Sequence, residues 1–184
     1  MLAPTLLITL FTIINLYGEV TAPNYYFTIK QFKPLSPGSA IAPAIKQYPD
    51  HTQLKEKGGI KLYQFNLNYQ HYKFTVLVQS FDGKVLDMFA RLPTYFLHDI
   101  FHQSLIDIYG KQERYFRQER SAIYIWNNEN GNRHIYSGSC TITCFPDYYT
   151  IMPVAPPPAM SGSYQPLIEQ MKLGDITKKE IFNR

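Results

Sequence analysis

The side chains whose types and spacing could do chemistry lie in "LHDIFHQSL", residues 97–105, where His98 and His102 stand four apart and Asp99 follows the first. On a helix a four-residue step turns through about 400°, so two imidazoles at that spacing project from nearly the same face, one turn apart. Neutral imidazoles ligate zinc, and a carboxylate beside them can take a proton from metal-bound water. His98 and His102 are the candidate metal ligands and Asp99 the candidate general base.

The element that must position them is a helix. After Pro93, Thr94 can cap, "YFLHDIFHQSLIDIY" repeats at helical spacing, and Gly110 is the residue type that ends helices in a left-handed turn. Leu97, Phe101, Leu105 and Ile108 form the predicted core stripe. With Leu97 at zero, His98 falls near about 100°, His102 near about 140° and Asp99 near about 200°. The histidines thus sit at the edge of the apolar face, where a ring that is half apolar and half polar sits in an ordinary helix.

"HDIFH" resembles the H-E-x-x-H motif of the zincins over these five residues and nowhere else in the chain. The resemblance implies zinc on His98 and His102 and hydrolysis with Asp99 as base. Asp is one methylene shorter than Glu, and no H-x-x-G-x-x-H extension follows. A third ligand is required; Glu113, Glu119 and His134 are the downstream candidates, none in a recognisable pattern. Met152 before Pro153 matches a Met-turn poorly. The expectation is accordingly no catalytic residue and no cofactor, with the zinc hydrolase as the alternative.

The surrounding elements read as strands. "KLYQFNLNYQ" places Tyr63, Phe65, Leu67 and Tyr69 on one face and polar residues on the other, the period-two mark of a half-buried strand. "YKFTVLVQSF" and "KVLDMFARL" follow, joined by Asp82-Gly83, which suits a two-residue hairpin turn. The first of these is apolar on both faces, as a central strand covered on both sides would be. Beyond the helix, "SAIYIW" and "RHIYSGSCTITCF" flank Asn130-Gly131, another hairpin turn, and "DYYTIM" is a possible last strand. The fold class is therefore α+β: an antiparallel sheet of a three-strand meander, one helix, then a hairpin and last strand, with the helix packed on one face.

The 184 residues divide into four expected parts. Residues 1–22 read as a signal peptide, because the apolar stretch from Leu2 to Leu16 is short for a membrane span and Val20-Thr21-Ala22 offers a small-residue exit. An uncleaved anchor over residues 2–17 is the competing expectation and the one route to a membrane location. Residues 23–59, broken by Pro34, Pro37, Pro43, Pro49 and Gly58-Gly59, read as an extended irregular arm. Residues 60–152 form the α+β domain, and residues 153–184 a Pro-rich linker with a short helical tail, either loose or docked as a clip.

Cys140 and Cys144 are the only cysteines. On one straight strand they would lie about 13 Å apart, too far for a disulfide. An oxidising compartment favours joining them, so a possible disulfide requires the chain to turn between them. The formal charge is +4, and "GKQERYFRQERS" mixes both signs, which reads as a solvated segment rather than a nucleic-acid surface. Fifteen tyrosines and one tryptophan, Trp126, fit strand packing and, as a secondary reading, a sugar or peptide platform. No P-loop, dinucleotide-binding or serine-hydrolase pattern occurs. Together these features point to a small exported, tyrosine-rich, non-catalytic module, periplasmic or secreted, whose partner is a protein or an envelope component.

Overall fold

A computed structural model describes residues 29–69, 72–93, 98–118, 120–140, 144–155 and 164–171. The expected signal peptide, Thr94 and Leu97 of the helix start, and Glu119 lie outside the described residues. The described chain is mostly one antiparallel sheet with a few helices, an α+β architecture. Its eight strands are β1 (His51–Lys57), β2 (Ile60–Tyr69), β3 (Tyr72–Phe81), β4 (Lys84–Arg91), β5 (Arg114–Gln118), β6 (Ser121–Glu129), β7 (Asn132–Cys140) and β8 (Cys144–Pro153). They lie in the order β1-β2-β3-β4-β8-β7-β6-β5. Helix α1 (Ile41–Gln47) precedes the sheet, α2 (His98–Tyr109) links β4 to β5, and α3 (Leu167–Gln170) follows β8.

Turn chemistry folds the strands onto one another. Asp82 and Gly83 have φ of 47° and 71°, and Asn130 and Gly131 have 55° and 79°. Positive φ at both central residues is what a tight hairpin turn with the twist of its strands requires, and Asp, Asn and Gly tolerate it best.

Alternation along the strands gives the sheet two apolar faces. The first carries Phe65, Val76, Val78, Met88, Tyr124, Tyr136, Tyr149 and Ile151, and is covered by α1, α2 and the short 3-10 helix Ile29–Leu35. The second carries Phe89, Ile123, Ile125, Ile135, Tyr148 and Met152, against which Leu167 and Ile168 of α3 pack. The strand buried on both faces is β4, where every residue from Val85 to Ala90 is buried. In β3, by contrast, Thr75 and Leu77 remain partly exposed, because that strand stands one place further from the centre of the sheet.

The segment expected to be an irregular arm is structured over its described part. Phe32, Leu35 and Ala44 are fully buried, and residues 38–41 pair with the β3–β4 turn through Gly38 N–H to Val85 O (2.8 Å), Val85 N–H to Ser39 O (2.8 Å) and Ile41 N–H to Gly83 O (2.9 Å). The prolines do not prevent this: Pro34 sits in a 3-10 turn, and Pro43 occupies the first turn of α1, where no intrahelical N–H is lost. Strand β1 escaped the sequence pattern because it is an edge strand, exposed over Thr52–Lys57, and a strand with no buried face needs no apolar alternation. The mixed-charge segment likewise contains β5, the opposite edge.

Candidate functional site

One cross-strand row runs through all eight strands. Register aligns Tyr115, Tyr124, Tyr136 and Tyr149 from β5, β6, β7 and β8, and continues through Ala90, Val76, Phe65 and His51. Directly opposed residues in antiparallel strands share a face, so the four tyrosines form a continuous aromatic surface. The rings of Tyr124 and Tyr136 stack with centroids 5.7 Å apart. Helix α2 lies on this surface.

The packed side of α2 is not the expected stripe. Phe101 and Leu105 are buried, but so is His98, at 7% exposure. Ile108 is 46% exposed, while Ile106 and Tyr109 pack on the core. The buried face is thus rotated by about 60° from the sequence expectation, toward the histidines. Two contacts set this rotation. Trp126 donates its indole N–H to Gly110 O at 2.7 Å, fixing the end of the helix, and Tyr109 packs on His134 with centroids 4.2 Å apart.

His98 enters a slot between tyrosines. Its Nδ1 lies 2.8 Å from the Tyr136 hydroxyl and its Nε2 lies 3.4 Å from that of Tyr124. A neutral imidazole has one donor and one acceptor nitrogen, and a hydroxyl can serve either. The slot exists because residue 138 is glycine: a Cβ there would stand 2.9 Å from His98 Nδ1. His102 packs on Tyr124 at 4.2 Å and stacks on His98 at 5.6 Å; its Nε2 is buried outside good hydrogen-bond geometry, with the Gln112 side chain as the polar group acting on the ring. Burial pushes both imidazoles below their ordinary range, and for His98 the neighbouring His102 adds to the effect. Both rings are therefore neutral at neutral pH.

The remaining candidates are dispersed. Asp99 is exposed. Glu113 accepts a hydrogen bond from Asn127 Nδ2 at 2.9 Å at the surface. His134 is buried beneath Tyr109, with Nδ1 2.7 Å from the Tyr149 hydroxyl, and burial lowers its pKa to about 4. Met152 packs on the second face. Among the described residues no group of three or more His, Cys, Asp or Glu side chains could hold a metal ion. Among the described residues His98 and His102 have no third such donor beside them, and both nitrogens of His98 are directed at hydroxyls.

Cys140 and Cys144 are opposed Cα partners at the end of the β7–β8 hairpin. They stand on two paired strands rather than on one, so the single-strand separation does not apply; opposed residues have Cα atoms about 4.5–5.5 Å apart, within disulfide reach. Trp126 is a core residue, 2% exposed. Sequence reasoning missed Tyr124, Tyr136 and Gly138 as partners of His98. The one available signal was tyrosine at inward positions of two strands flanking the same turn.

No helix among the described residues is long and apolar enough to cross a membrane. Fold and site together define an α+β protein whose histidine pair is built into an aromatic layer. No protein-family model, curated protein or solved structure matches the chain.

Proposed function

We propose that this protein is a small exported, non-catalytic interaction module of the periplasm or secreted space, working through its surface on a protein or envelope partner. The observation that carries the reading is the environment of His98: both ring nitrogens face tyrosine hydroxyls inside a packed aromatic layer. A histidine so placed serves packing rather than turnover, because a ligand or general base needs a free nitrogen and a reachable substrate. The exposed large apolar side chains support surface action: Leu54 lies on edge strand β1, Tyr115 on edge strand β5 and Phe145 at the β7–β8 end.

The full chain, expressed in a host with an export pathway, tests this. The mature N-terminus is expected near Pro23, and an intact residue 1 would favour the anchored form. Purified protein is expected to carry no stoichiometric zinc and to keep its melting temperature in a chelator. About one zinc per chain, lost in His98→Ala, would replace this reading with the hydrolase. Photo-crosslinkers at Leu54 and Tyr115 in the native envelope are expected to trap one recurring partner, with no adduct from the buried control Ile135.

A further inference from the structure

Asp87 is fully buried in the middle of β4, on the second face of the sheet. Its Oδ2 accepts two hydrogen bonds from the C-terminal segment, from the Leu167 N–H at 2.7 Å and the Tyr164 hydroxyl at 3.0 Å. One carboxylate oxygen therefore ties down Tyr164–Met171, whose Leu167 and Ile168 are buried on the same face. The other oxygen, Oδ1, meets no donor in good hydrogen-bond geometry, although the Gln79 backbone N–H acts on the carboxyl. Across the ladder Gln79 of β3 is the opposed residue; it is 6% exposed, and its Oε1 is likewise buried and unpartnered.

Two orphan acceptors on opposed residues of one face are satisfied together by a single proton. A carboxylic acid O–H at Oδ1 donates to Gln79 Oε1, and Oδ2 goes on accepting from Leu167 and Tyr164. The ionised form would leave a buried charge with one oxygen short of a well-formed hydrogen bond, which is costly at such a depth. We propose that Asp87 holds a proton shared with Gln79, and that this proton latches the C-terminal clip Tyr164–Met171 to the sheet, tightly in acid and loosely as pH rises.

The groups facing Asp87 agree with this. From the tail come Tyr164 and, beyond it, Glu169, which acts on Tyr164; from β3 comes Gln79, and none of these is a cation. Arg133 of β7 is buried on this face, opposed to Met152, and donates to Asn127 Oδ1 at 2.6 Å; Lys55 and Lys57 line, with Gln79, Gln165 and Gln170, a cavity of about 430 Å³ that the clip helps to close. None of the three cations is among the groups that shift the Asp87 carboxyl. Burial pushes that carboxyl from 3.8 up to about 7, against the pull of the Leu167 amide, the Tyr164 hydroxyl and the Gln79 backbone amide.

The direction follows from linkage. Below about pH 4 docked and released forms both carry the proton and the clip has its full hold. Between about 4 and 7 only the docked form keeps it, so the hold weakens by up to about tenfold per pH unit. Above about 7 both are ionised and the hold is at its minimum.

Backbone amide exchange of the full-length protein, corrected for the intrinsic pH dependence of exchange, reads the clip directly. Protection at Leu167 is expected to fall at least tenfold between pH 5 and pH 8, while Ile135 in β7 stays protected. Asp87→Asn keeps the shape, can donate to Gln79 and accept from Leu167, and cannot ionise; its Leu167 protection is expected to be the same at both pH values. Should that variant fail to fold, the Asp87 side-chain carbon signal in the unaltered protein decides: a titration midpoint near 7 supports the latch. A midpoint below 5 overturns it and indicates that the Gln79 carboxamide presents its NH2 to an ionised Asp87. Leu167 protection that ignores pH, or is lost together with that of Ile135, also overturns it.

Discussion

His98 depends on what its neighbours lack as much as on what they offer. Gly138 supplies the space and Tyr136 the hydroxyl. Gly138→Ala is expected to push the ring from its slot and cost about 1–3 kcal/mol, the usual range for overpacking a well-filled core. Tyr136→Phe removes the shorter hydrogen bond and leaves a buried nitrogen unpaired, at about 1–2 kcal/mol. Tyr124→Phe removes only a 3.4 Å contact and is expected to cost less than Tyr136→Phe. Urea denaturation of the three variants checks both magnitudes and order. The spacing of His98 and His102 was plain in the sequence, but spacing describes one helix and says nothing of what lies opposite. The rings that surround the pair come from β6 and β7, and their hydroxyls decide its chemistry.

At the scale of elements, the elements legible in the sequence were those whose cause is local. The Asp82-Gly83 and Asn130-Gly131 turns each place two residues at positive φ, and that demand is visible in residue type. Gly131→Ala is expected to destabilise the β6–β7 hairpin by roughly 1 kcal/mol, from the left-handed strain on a Cβ; with open space around it, that strain is the whole effect. The 3-10 helix and α1, before β1, were not legible because their stability comes from docking. Phe32, Leu35 and Ala44 are buried by the sheet, and runs of seven residues are too short to show a period. The C-terminal clip is similar: a four-residue helix cannot stand alone. Leu167→Ala, at a fully buried position, is expected to cost about 2–4 kcal/mol and to make residues 164–171 the first site of limited proteolysis. When the chain is produced through an export pathway, the opposed cysteines are expected to be oxidised, with no thiol titrating in denaturant until a reductant is added.

Across the whole molecule the buried titratable groups pull in opposite directions. His134 is held down to about 4 from 6.5, so the folded state binds fewer protons than the unfolded chain and stability falls as pH drops from about 6.5 to about 4. Asp87, raised to about 7, gains stability over nearly the same interval. Global stability is therefore expected to change less with pH than either group alone would dictate. In His134→Asn, the urea midpoint is expected to hold steady or rise from pH 7 to pH 4.5, whereas that of the unaltered protein falls relative to the variant. A parallel response in both proteins would mean that His134 is not the group that titrates.

By itself the sequence determined the antiparallel α+β class, the turns, the alternation of β2 and the existence of α2, because dihedral preference and apolar period act between near neighbours. It also marked His98 and His102 as a pair. Tertiary structure alone decided their surroundings and the role of Asp87. His98 meets Tyr136 across 38 residues, and Asp87 meets Leu167 across 80. Such meetings are set by strand order and register, and a one-residue slip of register would turn every side chain of a strand to the other face. The sequence thus names residues able to do chemistry, while pairing across the sheet determines which of them stand together and which are occupied in holding the fold.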